Sequence, residues 1–226
     1  MRLSKITISI LLLLPVIVIA QEKDSVQSKY LPSGIRFGTD VLALVRSPYD
    51  ETFKGWELNA DVDFYRYYLT VDYGSWGRTY IQDSSAYSNK GTYFRIGADV
   101  NFLTKNPDKN MFFLGMRYAH GTFDEDYTVI IDDPNWGSSE EVYENRNVPA
   151  NWFELTSGMR VRIWKMFWLG YTIRYKFGLS VGNTPDMLPH NVPGYGSSDG
   201  KAYWGFNYQL LFRIPIKKNL STPLKK

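Results

Sequence analysis

Apolar and polar residues alternate with a period of two in eight separate stretches of this chain, which restricts those stretches to extended strands with two chemically different faces. In Gly34 to Val45, Ile35, Phe37 and Val41 oppose Arg36, Gly38 and Asp40. In Trp56 to Tyr65, Trp56, Leu58, Ala60, Val62 and Phe64 oppose Glu57, Asn59, Asp61 and Asp63. Tyr67 to Arg78 sets Leu69, Val71 and Tyr73 against Thr70, Asp72 and Gly74, and Thr92 to Phe102 sets Phe94, Ile96, Ala98 and Val100 against Arg95, Gly97 and Asp99. The scheme repeats in Met111 to Phe123, Asn151 to Ile163, Met166 to Ser180 and Ala202 to Ile214, whose polar positions include Arg117, Glu154, Arg160, Arg174, Lys176 and Arg213. Helical spacing fits none of them as well.

Each stretch runs about ten to fifteen residues, the length a tilted strand needs to cross a bilayer and about twice the mean of soluble strands. Connections alternate in length. Tyr65-Arg66 and Trp164-Lys165 read as tight turns and Leu103 to Asn110 as a moderate one, whereas Arg46–Gly55, Thr79–Gly91, Asp124–Ala150 and Val181–Lys201 read as long loops. Short turns at one end and long loops at the other are the habit of outer-membrane barrels, and an even strand number puts both termini on the short-turn side.

The N-terminus agrees with export. Arg2 and Lys5 precede an almost continuously apolar run from Ile6 to Ile19, and Val18 and Ala20 suit the −3 and −1 positions of a cleavage before Gln21. That is the layout of a secretory signal peptide, too short for a spanning helix. Without any cysteine, a lipoprotein route, disulfides and thiol chemistry are excluded. Losing Arg2 and Lys5 lowers the net charge from +3 to +1, and no basic stripe offers itself to nucleic acid.

Alternation alone does not say which face lies inside, since a lipocalin-like soluble barrel would bury the apolar set. Two features favour a polar interior. Gly38, Gly74, Gly97, Gly115, Gly158, Gly170 and Gly205 all fall on the charged face, where in a narrow barrel they make room for long neighbours. That face also carries seven acids (Asp40, Glu57, Asp61, Asp63, Asp72, Asp99, Glu154) and eight bases (Arg36, Arg95, Arg117, Arg160, Arg162, Arg174, Lys176, Arg213), the near-parity a desolvated ion-pair network requires. Tyr67, Trp76, Tyr80, Trp152, Trp164, Trp168, Tyr203 and Trp204 lie near predicted strand ends, where aromatic girdles sit at the headgroup level.

Candidate chemistry is sparse. His120 at a strand end, with Ser157 or Ser180, is the one arrangement that suggests a rim acyl hydrolase; His190 lies in a loop, and no GxSxG elbow is present. The lumenal carboxylates read as ion-pair partners of arginine, with no dedicated acid/base pair. The third long loop gathers Asp124, Glu125, Asp126, Asp132, Asp133, Glu140, Glu141 and Glu144 against Arg146, a candidate partner surface or hard-cation site without EF-hand spacing. The fourth, with Pro185, Pro189, Pro193 and Gly194-Tyr195-Gly196, reads as a semi-rigid contact loop. An eight-stranded interior holds side chains and leaves no nutrient pore.

The stretch from Gly34 to Ile216 resembles the small uncharacterised outer-membrane barrels of Bacteroidota, through Gly34-Ile35-Arg36-Phe37-Gly38-Thr39-Asp40 and Tyr73-Gly74-Ser75-Trp76-Gly77. That resemblance implies an accessory role beside larger outer-membrane machines, such as barrel-assembly or secretion complexes. The expectation is therefore an all-β protein, an eight-stranded antiparallel up-and-down transmembrane barrel over 34–216 with a side-chain-filled lumen. A signal peptide (1–20) and periplasmic segment (21–33) precede it, and a basic periplasmic tail (217–226) follows. Its lumenal network comprises Arg36, Asp40, Glu57, Asp61, Asp72, Arg95, Asp99, Arg117, Glu154, Arg160 and Arg174. The expected role is a non-catalytic subunit in contact with outer-membrane lipid and other outer-membrane proteins, needing no cofactor. Alternatives are a lipid-modifying enzyme at the rim and a surface binder acting through the acidic segment.

Overall fold

The computed structural model describes residues 31–216, apart from 134, 136, 183, 185 and 186. The expected leader, residues 21–30 of the N-terminal segment, the basic tail and Pro185 lie outside the described residues. Eight strands form a closed antiparallel barrel: β1 (Gly34–Asp40), β2 (Phe53–Phe64), β3 (Tyr67–Gln82), β4 (Ser85–Asn101), β5 (Met111–Asp133), β6 (Gly137–Trp164), β7 (Phe167–Val181) and β10 (Ala202–Pro215). Each pairs with its sequence neighbour in the ring, and β10 closes on β1 through Gly34–Pro215 to Asp40–Gln209. Two short strands, β8 (Asn191–Val192) and β9 (Gly196–Ser197), form a separate hairpin between β7 and β10.

The burial pattern is that of a soluble protein turned inside out. Leu58, Leu69, Leu114 and Leu155 face outward and are 49–53% exposed, whereas Asp61, Asp72, Asp99 and Glu154 on the alternate positions are 0–3% exposed. Strand parity therefore sends the polar set to the lumen.

Several connections differ from the sequence expectation. The stretch after Asp40 leaves the sheet and forms helix α1 (Val41–Tyr49), because the Asp40 side chain accepts from the Leu42 amide as an N-cap and so starts a turn where apolar Val41 to Val45 suggested more strand. Thr79–Gly91 is no loop: β3 and β4 continue to pair up to Gln82–Ser85. Asp124–Ala150 likewise belongs to β5 and β6, which stay paired to Asp133–Gly137 with one register shift after Phe123. At 23 and 28 residues these two strands far exceed β2, β7 and β10 at 12, 15 and 14, so their upper part stands above the rim as a hairpin. The opposite end carries the tight turns Tyr65-Arg66 and, one residue later than expected, Lys165-Met166, with Tyr65 at φ 65° and Lys165 at φ 38°.

Close strand approach explains Gly38, Gly74, Gly97, Gly115 and Gly158, whereas a Cβ at Gly170 or Gly205 would meet side chains. At Gly97 a Cβ would lie 1.9 Å from the Met116 carbonyl oxygen, a backbone atom that cannot yield, and 2.8 Å from the Arg117 side chain. Gly97→Val should therefore lower unfolding stability by about 1–3 kcal/mol in urea titrations followed by tryptophan fluorescence. Thr92→Val, on the outer face of the same strand, should change it by less than about 0.5 kcal/mol.

Candidate functional site in the lumen and at the rim

The lumen is filled by charge in two tiers. In the tier nearer the tight turns, Arg36 Nε donates to Asp61 Oδ1 at 2.8 Å, and Asp61 also receives Arg160. Arg160 reaches on to Asp99 at 3.8 Å, and Asp99 pairs with Arg117 at 2.8 Å. In the other tier four groups from four strands form a ring across the barrel. Arg95 contacts Glu57 at 2.5 Å and Glu154 at 2.8 Å; Arg174 contacts Glu154 at 2.9 Å and Glu57 at 3.3 Å. Asp72 adds a further contact to Arg174 at 3.1 Å.

All eleven residues expected in the lumenal network are buried. Ten of them form ion pairs. The exception is Asp40, whose carboxylate accepts instead from the Leu42 and Tyr208 amides and from Asn207 Nδ2 at 2.7 Å. Lys176, equally buried, donates to the Gly194 and Tyr195 carbonyls at 2.7 and 2.9 Å. With Lys176 added to the five arginines, the expected network balances at six acids and six bases. Asp63 and Arg213 pair separately at the turn-side end, at 2.9 Å, while Arg162 lies outside the lumen beside Asp108.

Strand parity held lumenal partners that charge alone did not flag. Tyr93 donates its hydroxyl to Glu57 at 2.8 Å, and the Trp152 indole donates to Glu154 at 2.8 Å. Trp152 and Trp168, expected in a girdle, are buried inside, because they share parity with Glu154 and Arg174. Trp76 is half-buried and packs against the lumenal cluster, whereas Tyr67, Trp164 and Trp204 remain on the outer face.

The fourth loop enters the barrel mouth. Val192 and Tyr195 are fully buried with Tyr93, Phe123, Val148 and Trp152, and Arg95 donates to the Gly194 carbonyl at 2.9 Å. Gly194 sits at φ 83° with the Tyr93 ring 2.6 Å from where a Cβ would be, so only glycine lets the chain pass. The Asn89 side-chain amide donates to the Asn191 carbonyl, and Asn145 to that of Met187 at 2.9 Å, which fastens the loop to the strand wall. Within it, Asn191 to Gly196 form an inward plug, while Leu188 and His190 are exposed.

The acidic residues do not form one patch. Asp124, Asp126, Asp132, Asp133, Glu140, Glu141 and Glu144 are spread over both strands of the projecting hairpin. Asp126 and Glu144 share Arg146, and Glu141 accepts from Tyr143 at 2.6 Å. Glu125 points inward, fully buried, and accepts from Tyr87 at 3.1 Å and Asn145 at 2.8 Å, so it is unavailable to a partner. Burial and that carboxylate push the Tyr87 hydroxyl up. Among the described residues no group of His, Asp and Glu is placed to hold a metal ion.

His120 faces outward. Its Nδ1 lies 2.8 Å from Asn151 Oδ1, which also accepts from Tyr118 at 2.7 Å, and its ring packs against Phe94. Ser180 is opposite Asn151 on the next strand, so the amide stands between it and the imidazole, and Ser157 lies opposite Leu114, nearer the tight turns. Neither serine hydrogen-bonds to His120 among the described residues. His190 sits on the surface with its ring edge against Tyr87.

Removing one member of the charge ring strands the others in a dry interior. Glu154→Ala, which leaves Arg95 and Arg174 each short of a partner, should cost about 3–5 kcal/mol in urea unfolding. A cycle with Arg174→Ala should return a coupling of about 1–3 kcal/mol; additive effects would argue against a ring.

A comparison with curated proteins gives no match to this chain. Residues 3–219 match the family described as "Domain of unknown function (DUF6048)". The whole barrel, from Gly34 to Pro215, falls in that match, and the chain belongs to the DUF6048 family.

Proposed function

We propose that this chain is an outer-membrane β-barrel, sealed against diffusion and without a catalytic role, that serves as an accessory subunit of a larger outer-membrane complex such as barrel-assembly or secretion machinery. The observation that carries the membrane reading is the inverted burial: a belt of Leu, Ile, Val, Phe and Tyr faces outward while arginines and carboxylates are dry inside. In water that arrangement loses twice, exposing apolar surface and desolvating charge. In a bilayer the belt is solvated by lipid, and the closed ring leaves no strand edge unpaired through most of its circumference. Two ion-pair tiers capped by the Val192–Tyr195 plug oppose conduction.

A sealed barrel acts through its surfaces. The β5–β6 hairpin presents backbone, acids and tyrosines well above the rim, and the outer belt offers apolar area to a neighbouring barrel. The same hairpin supports the second reading, a surface binder, through exposed Asp132, Glu140, Glu141 and Glu144. For a lipid-modifying enzyme the geometry supplies an oriented imidazole at His120 but, among the described residues, no hydroxyl on it.

Extraction from native membranes should need detergent, and affinity purification in a mild one should bring down a larger outer-membrane protein. In planar bilayers the protein should give no stable conductance. Solubility without detergent would refute the membrane reading, a steady open pore the sealed lumen, and a solitary monomer the accessory role.

A further inference from the structure

The ring is incomplete over part of its height. β1 ends at Asp40, where it is paired to Gln209 of β10, and its pairing with β2 ends at Thr39–Leu58. Above that level Ala202–Tyr208 of β10 pairs only with β7, and Phe53–Glu57 of β2 pairs only with β3. The two edges face each other across the place that the upper half of β1 would fill. Helix α1 lies there instead. Its Ser47 accepts from Lys54 Nζ at 2.9 Å through its carbonyl and from the Gly55 amide through its hydroxyl, so it is fastened to the β2 edge. Among the described residues no backbone hydrogen bond joins α1 to β10.

A cavity of about 410 Å³ opens at this gap, and its lining mixes the two faces of the wall. Glu57, Arg95 and Lys176 come from the lumen; Trp56, Trp204 and Phe206 come from the outer belt. Leu42 on α1, half exposed, borders the same space. A continuous path therefore leads from the apolar outer surface to buried charge.

The polar end is short of anions. Among the described residues Lys176 bonds only to backbone carbonyls, and Arg78 forms no ion pair but lies over the Phe53 and Trp76 rings. The buried Arg78 Nε and Trp76 Nε1 both lack an acceptor, and both residues line the cavity. Asp40 is the acid there without an ion pair, and its oxygens are taken up by Asn207 and two backbone amides. Two cations, one of them with an unfilled Nε, and the unfilled Trp76 indole at the inner end of an apolar slot describe a head group with negative charge on an acyl chain.

From this geometry we infer that the gap between β2 and β10 is a lateral opening that binds an anionic amphiphile, its acyl chain against Trp56, Leu42 and Trp204 and its phosphate at Arg78, Trp76 and Lys176. The inference rests on the membrane reading above, which puts the opening in the leaflet remote from the tight turns.

The probe is a lysophosphatidic acid with a dibrominated stearoyl chain, titrated into the full chain in dodecyl maltoside while tryptophan emission is recorded. Quenching should saturate, with an apparent affinity about 10-fold above that of the uncharged dibrominated monoacylglycerol. Arg78→Gln, outside the lumenal ring, should remove most of that preference, and Trp56→Phe with Trp204→Phe should abolish the saturable component. Equal, unsaturable quenching by both probes would overturn the inference. Displacement by inorganic phosphate as effectively as by the lipid would overturn the chain slot. A folded, detergent-dependent protein that fails these tests leaves the membrane reading standing; a detergent-free one removes both.

Discussion

Four side chains from four strands hold the centre of this molecule: Glu57, Arg95, Glu154 and Arg174. Each charge touches two of the opposite sign, so none is left to bear the desolvation cost of a dry interior alone. Guanidinium suits such a ring because its planar fork can serve two carboxylates at once. A pair would satisfy its members yet connect only two strands. The ring instead braces β2, β4, β6 and β7 against one another across the barrel, and the Arg36–Asp61–Arg160–Asp99–Arg117 chain does the same nearer the turns. With these ties the interior is held by charge, and Leu, Ile and Phe side chains stand exposed on the outer face.

The two ends of the barrel then differ for physical reasons. At one end short turns suffice, and the Asp63–Arg213 pair with Ser33 closes the interior. At the other, the ring of charge would meet solvent. The β8–β9 hairpin turns in over it, supplying carbonyls to Arg95 and Lys176 and apolar side chains to Trp152 and Phe123. β1 does not reach that level, and the helix that follows it covers the missing stretch without pairing to β10. The wall is thus strongest along β3 to β6, which extend furthest, and weakest between β2 and β10.

Much of this was legible in the sequence wherever two faces differ in chemistry. Parity gave the strands, the ring order and the tight turn at Tyr65-Arg66, and glycine placement with charge balance identified the inner face. Parity misled where the chemistry of the faces converges. In Thr79–Gly91 and Asp124–Ala150 the apolar residues, among them Ile81, Ile130 and Ile131, do not alternate with polar ones, so a paired hairpin looks like a loop. Val41 to Val45 reads as apolar strand because the local N-cap by Asp40 is a contact of one oxygen with one amide, which periodicity does not register. Residue type alone points Trp152 and Trp168 to a girdle, but their position in the alternation places them with Glu154 and Arg174. The inward fold of the fourth loop depends on carbonyls of Gly194 and Tyr195 meeting two cations from distant strands, and no local pattern encodes that.

The central claim is that alternate side chains of one strand see hydrocarbon and a dry, charge-filled lumen. A nitroxide scan along β7 from Phe167 to Phe177 in phospholipid vesicles measures this residue by residue. Labels at Leu169, Tyr171, Ile173 and Tyr175 should be accessible to oxygen and shielded from a water-soluble nickel complex, while a label at Thr172 should be shielded from both. Access of the nickel complex along the Leu169 to Tyr175 face would contradict the account.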